Sequence, residues 1–157
     1  MSAAVLTGLP CMETTRTTAL APVIGHWLTS GSVHDEAGAV TAGIAGTDVY
    51  RWLPGGWWIA HDVDVRIGED HVLTHELIGG RDPGTGGWQM HAFDAGDSPG
   101  LTVLVPQPDG RLLLRADGVR SWFDPRAGDD LMTTRWEREV APGSWVLWMD
   151  MRFERAG

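Results

Sequence analysis

The chain is 157 residues long, the length of one domain, and its 43% hydrophobic and 21% charged residues exclude a disordered polypeptide. Acidic residues outnumber basic ones 21 to 12, and the net charge of −9 opposes both nucleic-acid phosphates and anionic membrane surfaces. Every basic side chain is arginine, which excludes a lysine Schiff base or a phosphate-loop lysine, and the lone Cys11 permits no internal disulfide.

Residues 1–16 read as a flexible arm ahead of a single domain over 17–157. Met1 to Pro10 lacks the basic start and apolar run of a signal peptide. No segment reaches the roughly 20 apolar residues of a bilayer span, so a cytoplasmic location is expected. A short helical turn is predicted next, with Thr17 or Thr18 as its cap before Ala19, Leu20 and Ala21, and Pro22 and Gly25 keep it short.

From there the pattern has period 2. Trp57, Ile59, His61, Val63, Val65 and Ile67 share one face of a strand, and Trp58, Ala60, Asp62, Asp64 and Arg66 the other. Similar runs predict strands near Trp27–Val33, Thr41–Leu53, Trp57–Ile67, Val72–Ile78, Trp88–Asp94, Leu101–Val105, Arg111–Ala116, Val119–Phe123, Met132–Glu139 and Trp145–Arg155. Turn chemistry such as Gly68-Glu69-Asp70, Asp117-Gly118 and Ala141-Pro142-Gly143 joins them, which describes an antiparallel meander of about ten strands. The last strand reads as apolar on one face (Trp145, Leu147, Met149, Met151, Phe153), and an open edge there would invite aggregation. Closure onto the first strand, making an all-β barrel, removes that edge.

Ile24-Gly25-His26-Trp27 with Gly31 four residues later is similar to the Gly-x-Trp opening of calycin barrels, the group of lipocalins, fatty-acid-binding proteins and nitrobindins. Four blocks follow in order: Tyr50 to Trp58, Ile78 to Gly86, Met90 to Asp94, and Arg135-Trp136-Glu137. Over residues 20–155 the chain thus resembles a bacterial calycin-like family whose members are mostly of unknown function. The resemblance implies a lipocalin-like antiparallel barrel whose closed end is plugged by Trp27. It does not imply one activity, because this barrel hosts carriers, haem proteins and cyclising enzymes. Nitrobindin-type barrels hold haem through a histidine in the C-terminal part of the chain. Here the last histidine is His91, so haem is not expected, nor any other cofactor.

His61 interrupts the apolar register between Ile59 and Val63, and His75 sits likewise between Leu73 and Leu77. Each reads either as a hydrogen-bonded structural histidine or, facing a cavity, as a base kept neutral by burial. Asp62, Asp64 and Glu76 fall in the opposite register and read as a solvated face. Tyr50, the one tyrosine, can polarise a ligand oxygen if Asp48, Tyr50 and Trp52 face inward. His71 and His75 lie about 13 Å apart along a strand, too far for one zinc ion, so no metal site is expected. His91 opposes the more apolar register of Trp88, Met90 and Ala92.

Trp52, Trp57, Ile59, Trp88, Met90, Trp136, Met149 and Met151 are the expected ligand-facing residues, with Trp145 and Met132 in similar registers. An aromatic and thioether lining suits a bulky apolar guest better than a sugar or nucleotide. The expected function is binding of a conjugated or polycyclic hydrophobic small molecule and its cofactor-free cyclisation or isomerisation, as in secondary metabolism. His61, His75 and Tyr50 are the candidate catalytic groups; the alternative is a carrier or sensor without turnover. No nucleic acid or membrane partner is expected, while a homodimer is compatible with this reading.

Overall fold

A computed structural model describes residues 17–157; the expected arm, with Cys11, lies outside the described residues. A 3-10 turn over Thr17–Val23 leads into ten antiparallel strands. They are β1 (Gly25–His34), β2 (Val40–Trp52), β3 (Trp58–Ile67), β4 (Asp70–Arg81), β5 (Trp88–Phe93), β6 (Gly100–Pro106), β7 (Leu112–Ala116), β8 (Val119–Gly128), β9 (Leu131–Ala141) and β10 (Ser144–Arg155). Each strand pairs with its chain neighbours, and β10 closes onto β1 from Trp27↔Arg155 to Val33↔Met149. Closure leaves no unpaired edge.

Hairpin registers decide which side chains face the hollow, because cross-strand partners point to the same face. Between β3 and β4 the pair Ile67↔Asp70 brackets a two-residue turn at Gly68-Glu69, with Gly68 in the left-handed region at φ 61°. Odd positions of β3 therefore share a face with even positions of β4. Gly46 shows how tightly β2 coils onto β3: a Cβ there would run into the Asp64 carbonyl oxygen.

One end of the barrel is capped. Leu20 and Val23 of the 3-10 turn pack with Trp27, Tyr50, Ile59, Trp88, Met132 and Phe153 in the main apolar core. The buried Trp27 indole donates to the Val23 carbonyl at 2.8 Å, and Thr17 Oγ1 donates to the Gly56 carbonyl in the β2–β3 turn. These bonds tie the cap to the wall and satisfy polar groups that burial would otherwise leave unpaired.

One expectation about β10 is corrected. The ladder with β9 shifts between Leu147 and Met149, so Leu147 pairs with the outward Glu137 while Met149 pairs with Trp136. This bulge places Met149, Met151 and Phe153 inside but turns Trp145 and Leu147 out. Outside, Trp145 lies beneath the Arg120 guanidinium at 4.3 Å, and Arg120 pairs with Glu137.

Candidate functional site

The barrel interior holds a cavity of about 250 Å³, just under the usual range of small-molecule pockets. It runs from Leu20, Val23 and Phe153 at the capped end to Ile67 and Val72 beside the β3–β4 turn. Its wall is mostly Val, Ile, Leu, Met and aromatic carbon. Against that lining stand three charged residues, Asp48, His61 and Glu76.

Their placement follows from strand register. Tyr50, His61 and Glu76 form one cross-strand row on β2, β3 and β4, and Asp48 lies two residues from Tyr50 on the same face. His61 Nε2 donates to Asp48 Oδ1 at 2.7 Å and Nδ1 donates to Glu76 Oε2 at 2.5 Å. Thr29 Oγ1 donates to the other Asp48 oxygen. The Tyr50 ring stacks on His61, with centroids 3.7 Å apart and planes within 8°. Both imidazole nitrogens thus act as donors, which is the geometry of an imidazolium between two carboxylates.

The expectation of a neutral His61 base is corrected here. Burial, the largest single influence, pulls its pKa down. The charge of Glu76 and the hydrogen bonds that His61 donates to Asp48 and Glu76 outweigh burial and lift the pKa to about 9. Once protonated, His61 has no lone pair left to accept a further proton. Tyr50 stays a neutral phenol: burial first, then the Asp48 and Glu76 charges, push its pKa well above the usual 10. Tyr50 is 7% exposed, and its hydroxyl has no hydrogen-bond partner among the described residues. Glu76 Oε1 is likewise unpartnered, while both Asp48 oxygens are engaged.

Tyr50, His61, Met90, Trp136, Met149 and Met151 all line the cavity. His75 does not. It is on the outer face, 43% exposed, with Nδ1 2.5 Å from Asp62 Oδ1, because its odd position on β4 is the partner of an even, outward position on β3. Glu76, expected outside with Asp62 and Asp64, is inside for the same reason. Ile59, Trp88 and Met132 are buried in the apolar core rather than along the cavity wall, and Trp52 packs against that core. Trp57 precedes β3 and is also off the cavity wall. His91 lies away from the cavity, its ring 6.1 Å from that of Trp58.

Among the described residues no three His, Cys, Asp or Glu side chains are arranged to hold a metal ion. Nor is any described helix long and apolar enough to cross a membrane.

Fold and interior together define a closed ten-strand antiparallel barrel with a polar network set into a largely apolar hollow. Among solved structures the chain is similar to an S-type phycobiliprotein lyase from Guillardia theta, with a TM-score of 0.58 and 13% identity over 87% of this chain and 90% of that one. That likeness is one of fold. No family model matches the sequence, and neither does any curated protein.

Proposed function

We propose that the cavity binds a compact, largely apolar conjugated or polycyclic small molecule and catalyses its cofactor-free isomerisation or cyclisation by proton transfer. The observation that carries this reading is that an unpartnered Glu76 Oε1 and an unpartnered Tyr50 hydroxyl belong to residues lining one largely apolar hollow, on either side of His61. A carboxylate oxygen there accepts a proton from a bound carbon acid. The neutral phenol donates to the atom where electron density collects, and His61 fixes the carboxylate's orientation. An apolar carrier needs no such network, whose burial costs stability unless every charge is compensated. The small volume also favours two or three fused rings over a long chain. The fold shared with a phycobiliprotein lyase supports a barrel able to enclose a guest.

The test is hydrogen–deuterium exchange at C1 of 2-tetralone, a bicyclic carbon acid, followed by NMR in D₂O. The protein is expected to accelerate exchange over buffer. Glu76→Gln should lose about 100-fold of that acceleration and Tyr50→Phe about tenfold, with quenching of tryptophan fluorescence by the probe retained. Quenching without any acceleration would make the barrel a carrier.

A further inference from the structure

We propose that the substrate of this cavity is a conjugated nitrogen cation, an iminium or protonated imine fused to an apolar ring system. The inference rests on the proton-transfer reading above and names its substrate class. The charged groups of the cavity wall are two carboxylates, Asp48 and Glu76, that share a single imidazolium, so the wall carries one unit of negative charge in excess. Among the described residues no other cation lines this cavity. A buried charge without a counter-charge is unfavourable, and a guest that brings one positive charge completes the set.

Two further features suit that guest. Two aromatic residues of the wall, Tyr50 and Trp136, carry negative π-surfaces of the kind that attract cations, one face of Tyr50 already lying against His61. The Met90, Met149 and Met151 thioethers offer a soft, adaptable surface for a planar ring. Tyr50, a residue over nine-tenths buried whose hydroxyl is unpartnered, supplies an oxygen for an N–H of the guest or a proton for its π-system.

The chemistry balances. Glu76 Oε1 takes a proton from the carbon next to the C=N⁺ group; the C–H pair becomes a C=C bond, and the C=N π-pair moves to nitrogen. The products are a neutral enamine and a neutral Glu76 carboxylic acid. Return of that proton to the distal carbon of an extended conjugated system leaves the double bond shifted. Wall and guest carry opposite unit charges before transfer and none after it. A neutral carbon acid, in contrast, leaves one unbalanced negative charge buried throughout.

Calorimetric binding of three near-isosteric probes tests this: N-methylquinolinium, 1-methylnaphthalene and 1-naphthoate. The cation is expected to bind at least tenfold more tightly than the neutral hydrocarbon, with naphthoate weakest. Glu76→Gln should remove the preference while leaving 1-methylnaphthalene affinity unchanged, which also reports that the variant is folded. The wild-type ranking decides the matter even if that variant fails to fold. Equal affinity of cation and hydrocarbon overturns the substrate class but leaves the cavity reading standing. Tighter binding of naphthoate does the same and points to Arg138, the next same-face position after Trp136 on β9, as the recognising group. If none of the probes binds, the proposed function itself fails and the substrate class falls with it.

Discussion

Two neighbouring rungs of the β3–β4 hairpin each set a histidine opposite a carboxylate, in opposite order. His61 faces Glu76 and Asp62 faces His75, and each histidine nitrogen lies 2.5 Å from its carboxylate oxygen. They differ in the side of the sheet. The His61–Glu76 side chains are 8% and 14% exposed, and a second carboxylate, Asp48, closes on the other imidazole nitrogen. The His75–Asp62 side chains are 43% and 46% exposed, with Arg51 also near Asp62 at 3.5 Å. Water screens the outer pair, whereas the buried inner charges act on one another with little screening. A similar histidine–carboxylate contact is thus open to water on one face and part of a buried charged network on the other.

The largest expected effect comes from removing the inner cation. His61→Phe strands two carboxylates in the hollow and should destabilise the fold by about 3–5 kcal/mol in urea unfolding. Combining it with Asp48→Asn and Glu76→Gln removes the stranded charges and should recover much of that loss. If the triple variant is less stable than His61→Phe alone, charge is not the reason His61 matters.

Next in size is the dependence on pH. Folding raises the His61 pKa from about 6.5 to about 9, so its stabilisation is complete below pH 6.5 and is lost as pH rises through 9. The full difference amounts to about 3 kcal/mol. Thermal melts should show Tm falling from pH 6.5 to 9.5, with this slope absent in the triple variant.

The smallest effect belongs to the outer pair. His75→Ala should change stability by less than about 1 kcal/mol, and less still in high salt, with 2-tetralone exchange unchanged. A large loss of exchange would return His75 to the mechanism.

Much of the architecture was legible in the sequence because period-2 alternation and turn residues are local signals. All ten strands, the short N-terminal turn and closure of the last strand onto the first follow from them. The inward face of β3 was equally plain, since Ile59, Val63, Val65 and Ile67 mark it. On β4 both registers contain apolar residues, with Leu73 and Leu77 opposing Val72 and Ile78, so alternation alone does not choose between His75 and Glu76. The signal that chooses is the two-residue turn at Gly68-Glu69: it makes the inward His61 the partner of Glu76. The bulge near Trp148 leaves no comparable trace, which is why Trp145 and Leu147 read as part of the inner face. The charge state of His61 was also out of reach, because it depends on three strands bringing Asp48, His61 and Glu76 together.

The most direct measurement is the titration of His61 by ¹⁵N NMR of the imidazole in the folded protein. Both nitrogens should carry protons at pH 7.5, and the ring should lose one only near pH 9. A ring that is neutral at pH 7.5, titrating at or below 6.5, would contradict a cation held between two carboxylates inside the barrel.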